Sequence, residues 1–133
     1  MTSETKSATL LRCAPYFPVA DLERAAAYYE DELGFSSEYS GGDPPHFAIH
    51  ARDGLTIMLK LISNPGKIVP NEAQGGTWDV FFWVDDVHAL HEELESRGAT
   101  MVYDLEYREE YHMDEFAVRD LDGHVLGFGQ ARA

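Results

Sequence analysis

The chain contains a single cysteine, Cys13. No internal disulfide can form and no thiolate cluster can hold a metal, so Cys13 reads as a small apolar strand residue. Basic residues are also scarce. Ten Lys and Arg stand against 24 Asp and Glu, for a net charge of −14. Nucleic acid and anionic membrane both demand a basic face, so neither is expected as a partner. The imbalance suits a cationic ligand, or serves solubility alone. No apolar run is long enough to cross a bilayer, and residues 1–8 (MTSETKSA) carry no apolar signal core. The expectation is a soluble, cytoplasmic protein. Gly-x-Ser-x-Gly elbows, phosphate-binding loops and dinucleotide fingerprints are missing too.

What is present is enough for one packed domain. Of 133 residues, 44% are apolar and 12% aromatic. The organising stretch is Glu115 to Phe128, EFAVRDLDGHVLGF, which reads as a β-hairpin turning at Asp120-Leu121-Asp122-Gly123. It occurs twice. Residues 47–59 align with 116–128 without a gap, placing Gly54 on Gly123. The first halves align as well, with Val19 on Val84, Asp21 on Asp86 and Gly34 near Gly98.

Each copy reads as β-α-β-β-β. In the first, Thr9 to Phe17 is a strand and Asp21 caps a helix over 22–33. The stripe Leu22, Ala25, Ala26, Tyr29 and Leu33 faces inward, and Gly34 stops the helix. Phe35 to Tyr39, His46 to Ala51 and Leu55 to Ile62 supply three more strands. In the second copy, Thr77 to Val84 is a strand and Asp86 caps a helix with Val87, Leu90 and Leu94 inward. Thr100 to Leu105 is a strand, residues 106–112 connect, and the hairpin follows. Unit one spans about 9–62, a proline- and glycine-rich crossing 63–76, and unit two about 77–130.

A duplicated β-α-β-β-β unit with Asp-capped helices and a Leu-Gly-Phe ending resembles the vicinal oxygen chelate superfamily. That superfamily groups glyoxalase I, extradiol dioxygenases and bleomycin-resistance proteins. Tyr111-His112-Met113-Asp114-Glu115-Phe116, then Asp120-Leu121-Asp122-Gly123-His124, then Phe128-Gly129-Gln130, is most similar to the bleomycin-resistance branch. His112 stands where that motif has Gly, and Leu121 where it has Pro. The resemblance implies an α+β fold: two tandem units forming an open, cupped mixed sheet with helices outside and the ligand in the cup.

Strand alternation then sorts the side chains. Phe47, Ile49, Ile57, Leu59, Leu61, Val80, Phe82, Phe116, Val118, Leu126 and Phe128 fall under the helices. Ala14, Tyr16, His46, Ala48, His50, Met58, Lys60, Asp79, Phe81, Trp83, Glu115, Ala117 and Gly127 fall in the cup. The resemblance places the superfamily's metal ligands at Ala14, Met58, Asp79 and Gly127. One carboxylate and a thioether are too few for a divalent ion, so no cofactor is expected. An unusual site built from His46, His50, His112, Asp79 and Glu115 stays open. His88 and His91 lie three apart on the second helix and read as a solvent-facing pair. His124, at a turn, reads as exposed. Asp79 and Glu115 could form an acid–base pair, or bind a cationic group, or pair with Lys60 or Arg119.

Trp78, Phe81, Trp83, Tyr103, Tyr107 and Tyr111, interleaved with acids from Asp104 to Glu115, suit stacking and cation–π recognition. The expected site is Tyr16, His46, His50, Met58, Lys60, Asp79, Phe81, Trp83, Tyr103, Tyr111, His112 and Glu115. The expected function is metal-free binding of an aromatic or cationic small molecule, such as a bleomycin-type antibiotic, by a homodimer. The alternative is a metal-dependent lyase or dioxygenase-like enzyme with an atypical metal site.

Overall fold

Asp21 and Asp86 each start a helix, and around each helix the chain lays down the same four strands. The computed structural model describes residues 6–133, so the first part of the polar stretch 1–8 lies outside it. Unit one is β1 (Tyr16–Val19), α1 (Leu22–Asp31), β2 (Ser36–Gly42), β3 (Pro45–Arg52) and β4 (Leu55–Leu61). Unit two is β5 (Val80–Trp83), α2 (Val87–Ser96), β6 (Thr100–Arg108), β7 (Met113–Arg119) and β8 (Val125–Ala131). The Asp21 carboxylate accepts from the Arg24 N–H at 3.1 Å and the Asp86 carboxylate from the Ala89 N–H at 3.0 Å. Each satisfies an amide that the helix itself leaves unpaired, a contribution of about 1 kcal/mol.

The strands form two four-stranded mixed sheets of the same order, β1-β4-β3-β2 and β5-β8-β7-β6. The first and last strands of each unit pair in parallel and the other neighbours antiparallel. This is the tandem β-α-β-β-β, α+β architecture expected of the sequence. Both helices cover one side. Leu22, Ala25, Tyr28, Tyr29, Val87 and Leu94 bury against Val19, Ile57, Leu59, Phe116, Val118 and Leu126. Among the described residues, no helix is long and apolar enough to cross a membrane.

Several boundaries differ from the sequence reading. The first strand is shorter and begins at Tyr16, leaving residues 6–15 outside any strand. The sixth is longer. The first three residues of the stretch 106–112, read as a connection, continue β6 to Arg108, because β-bulges keep them on β7. The crossing 63–76 carries two short 3₁₀ turns, Pro65–Lys67 and Asn71–Gln74.

The largest correction concerns the repeat. In unit one, Ala48 pairs with Leu59 and His50 with Ile57. In unit two, Phe116 pairs with Phe128 and Val118 with Leu126. Counted from these pairs, the loop of unit two is one residue longer, so the gapless alignment slips by one on β3. Side chains alternate along a strand, and a one-residue slip exchanges the faces. Ala48 and His50 therefore lie under α1, where both are buried, while Phe47 and Ile49 share the open face with Lys60 and Met58.

The longer loop has a task. Asp120, within it, is buried. Its carboxylate accepts from the Tyr29 hydroxyl at 2.8 Å and from the backbone N–H groups of Asp122 at 2.9 Å and His124 at 2.8 Å. Tyr29 belongs to α1, so this cluster ties unit one to unit two. His124 is buried rather than exposed. Its ring stacks on Phe17 at 4.3 Å, and Nε2 lies 2.9 Å from the Pro18 carbonyl. The Tyr28 hydroxyl donates to the Arg119 carbonyl at 2.7 Å, and Asp122 accepts from the Ala20 N–H at 2.9 Å.

Burial pushes the Asp120 carboxyl above its usual range, and the hydrogen bonds only partly oppose this. Tyr29→Phe leaves one carboxylate oxygen without its donor. A cost of about 1.5–3 kcal/mol is expected, as for a hydrogen bond to a charged group. The urea midpoint should fall at unchanged slope. The loss should shrink as pH drops toward the raised pKa of Asp120, because the protonated carboxyl needs that donor less. A loss independent of pH would contradict the ionised-acceptor role.

Candidate functional site

The faces of the two sheets away from the helices hold the candidate site. On unit two its centre is Glu115, from β7, which is fully buried. Alternation along β7 and β8 puts Met113, Glu115, Ala117, Gly127 and Gly129 on this face. The two glycines leave space that aromatic rings fill. A Cβ on Gly127 would come within 2.5 Å of Trp78 and 2.7 Å of Phe81, and one on Gly129 within 2.7 Å of Phe81. Small residues under large rings thus build a floor of Trp78 and Phe81, whose ring centroids are 4.8 Å apart and edge-on. Trp83 continues the row, 5.1 Å from Phe81, and is 74% exposed.

Polar groups converge on Glu115. The Tyr103 hydroxyl donates to Oε2 at 2.5 Å and itself accepts from the Trp78 indole N–H at 2.8 Å. The Tyr111 hydroxyl donates to Oε1, and Arg108 Nε approaches the same oxygen at 3.4 Å. The Arg108 guanidinium also lies over the Tyr103 ring, 4.8 Å from its centroid, and pairs with Glu106 at 2.6 Å. Burial, followed by hydrogen bonding to Glu115, pushes both phenols up, Tyr111 to about 12 and Tyr103 further. Both oxygens of Glu115 are therefore occupied by donors. This is an acceptor centre, and it offers a free proton-abstracting lone pair only after a donor is displaced.

Unit one presents a more open face. Tyr16, Tyr39 and Phe47 cluster with centroid separations of 6.2 Å, and with His46 and Lys60 they line a shallow cavity of about 260 Å³. Lys60 Nζ lies 2.9 Å from His46 Nδ1. Met58 sits opposite Tyr16 on β1 and Ile49 on β3. Among the described residues, none of the recorded hydrogen bonds or ring contacts joins this set to the Glu115 set.

Of the expected site residues, the structure gathers Phe81, Trp83, Tyr103, Tyr111 and Glu115 on one face and Tyr16, His46, Met58 and Lys60 on the other. His112 lies at the rim, Nδ1 2.8 Å from the Tyr107 hydroxyl. It holds the left-handed backbone, φ 55°, that explains why a related motif carries Gly there. Two residues fall elsewhere. His50 is under α1 with Nε2 3.0 Å from Glu30. Asp79 is a brace: its two oxygens accept from the Asn71 N–H at 3.0 Å and the Val125 N–H at 2.8 Å, fixing the crossing to β8. An Asp79–Glu115 acid–base pair is therefore not assembled, and Arg119 pairs with Glu72 at 2.6 Å instead. Arg108, Phe47 and Ile49 were missed. The slip on β3 hid the last two and the β6 bulges hid Arg108. The alternation of β6 restarts after Tyr103, which no local residue signals.

The residues at the superfamily's metal positions do not fit an ion. Ala14 has no donor atom, Gly127 lies beneath Trp78 and Phe81, and the Asp79 carboxylate is engaged by two amides. The Met58 thioether alone suits only a soft metal.

A family model described as Glyoxalase/Bleomycin resistance protein/Dioxygenase superfamily matches residues 9–128. No curated protein matches the chain by sequence. Among solved structures, TioX from Micromonospora sp. ML1 is 22% identical over 92% of this chain and 99% of its own, with a TM-score of 0.72. The bleomycin-binding protein from bleomycin-producing Streptomyces verticillus, solved with copper(II)-bleomycin, is 21% identical over 96% and 100%, TM-score 0.69. TnmS3, an antibiotic binding protein from Streptomyces sp. CB03234, is 23% identical over 96% and 100%, TM-score 0.66. At these identities the likeness is one of fold.

An alkaline absorbance titration should resolve the two phenols around Glu115 from the exposed tyrosines. Tyr111 should ionise near 12 and Tyr103 later. The unfolded chain releases these protons near pH 10, so stability from the pair is level below that pH and falls above it. Glu115→Gln removes the acceptor charge and should lower the Tyr111 midpoint without restoring an ordinary value, since burial remains. An unchanged midpoint would separate Tyr111 from Glu115.

Proposed function

This chain belongs to the glyoxalase/bleomycin resistance protein/dioxygenase superfamily, and we propose that it is a small-molecule-binding member whose ligand site is metal-free. Its ligand is a flat, aromatic or cationic molecule of the bleomycin type, held by capture with no bond broken. The observation that carries this reading is the buried Glu115 carboxylate, ringed by Tyr103, Tyr111, Trp78 and Phe81, with Trp83 exposed beside it. Aromatic faces hold planar rings and cations, each contact contributing about 0.5–2 kcal/mol. A carboxylate whose donors come partly from a half-exposed tyrosine can exchange that donor for an N–H of the ligand. The donor-poor metal positions support binding without an ion, and a net charge of −14 attracts cations.

The bleomycin-binding and antibiotic-binding structural neighbours support the same ligand class. We further infer that the working form is a homodimer. Tyr16 is 59% exposed and Trp83 74%, on the open faces of different sheets. A two-fold pair would let the open face of unit one lie over the Glu115 face of its partner.

Calorimetric titration of the metal-stripped protein with metal-free bleomycin tests the reading. One ligand per chain at micromolar or tighter affinity is expected. Trp83→Ala and Glu115→Gln should each weaken binding roughly tenfold, with light scattering giving twice the chain mass. Absence of heat with bleomycin and with a panel of planar aromatic cations would sink the proposal, as would full affinity in both variants.

A further inference from the structure

On the outer surface of unit two, away from the Glu115 face, three metal-ligating side chains converge from two elements. His91 and Glu95 lie one turn apart on α2, and Asp104 comes from β6. One ligand atom from each lies within 4.8 Å of the other two. We propose that His91, Glu95 and Asp104 bind one divalent transition-metal ion, Zn²⁺ fitting best, and that the ion staples α2 to β6.

The placement follows from the fold. Residues at i and i+4 share a helix face, which sets His91 and Glu95 side by side with Nε2 and Oε2 3.5 Å apart. β6 would ordinarily alternate, but three of its steps from Tyr103 to Glu106 match two of β7, from Ala117 to Glu115. Tyr103 faces Ala117 and so lies on the Glu115 side, its neighbour Asp104 turns to the helix, where it meets His91 directly, and the bulge resets the alternation by Glu106.

The ligands are held in position. The His91 imidazole packs edge-on against buried Phe116 at 5.1 Å and is only 16% exposed, so its free edge is fixed toward the two carboxylates. Asp104 is braced by the Leu105 N–H at 2.9 Å. Among the described residues, neither Glu95 nor Asp104 has a Lys or Arg in ion-pair range, and the His91 imidazole is the side chain both approach. Two carboxylates facing one imidazole form an electron-rich, uncompensated set. One nitrogen and two oxygens suit Zn²⁺ with water completing the tetrahedron, whereas Ca²⁺ and Mg²⁺ prefer all-oxygen shells. His88 is outside the set, since it faces Asp114 at 3.7 Å.

The test is calorimetric titration of the whole metal-stripped chain with Zn²⁺, repeated with Co²⁺ followed by visible absorption. One ion per chain is expected. His91→Gln and Asp104→Asn should each weaken uptake roughly tenfold or more, with His88→Gln and Cys13→Ser unchanged. The melting temperature of the natural chain should rise with Zn²⁺ and that of Asp104→Asn should not. Asp104 is exposed, so this variant keeps the fold and reads the site alone. No uptake by the natural chain, or uptake unaltered in both triad variants, would overturn the proposal. Neither result depends on what fills the opposite face.

Discussion

A buried carboxylate holds this molecule in register. Asp120 lies between the two units and accepts from a helix hydroxyl in unit one and two backbone amides in unit two. Burying a charge is expensive unless donors engage it, and three donors offset part of that cost here. The geometry that satisfies Asp120 also fixes how α1 lies on the β7–β8 hairpin, and hence the direction of each sheet's open face. The helix layer supplies the bulk of the burial, but apolar contacts alone tolerate sliding. A hydrogen-bonded cluster does not.

The same loop explains what could and could not be read from the chain. Asp21 and Asp86, each before an apolar stripe, marked both helices, and the repeated strand pattern marked the fold. The equivalence of Met58 and Gly127 was legible by counting from the hairpin glycines, because β4 and β8 leave those turns in phase and place them opposite Tyr16 and Phe81. β3 and β7 were not legible in the same way. The residue that unit two adds to its loop docks onto α1, a tertiary need invisible to a local alignment. His50 was misplaced for that reason alone. Asp79 looked like a cup ligand by position, yet its partners are the amides of Asn71 and Val125, from two distant segments. Sequence periodicity says which face a residue occupies, not which amide will claim its side chain.

Glu115 was found because it sits on a regular strand beside a motif, and its surroundings change its meaning. An isolated carboxylate in a cleft invites an acid–base role. With two phenols and a guanidinium gathered on it, both of its oxygens already have donors. The floor beneath it depends on having no side chain at Gly127 and Gly129. Any ligating residue there would displace Trp78 or Phe81. Aromatic floor and metal ligation are therefore exclusive uses of the same positions, and this chain carries the residues of the first.

β6 stands between the two surfaces. It is the edge strand of its sheet, paired on one side only. Edge strands with few neighbours open more easily than central ones, so their position is the softest variable in the unit. Tyr103 and Asp104 are adjacent on it and face opposite ways, at the start of the bulge. A ligand that presses on Tyr103 and an ion held by Asp104 act on the same few backbone torsions. If the two events favour different positions of β6, each must change the affinity of the other by the same factor. If they favour the same position, that reciprocity becomes mutual reinforcement, and ordering the strand once serves both sites. The bulge that hid Arg108 from the sequence thus begins at Tyr103, beside the residue that turns to the opposite face.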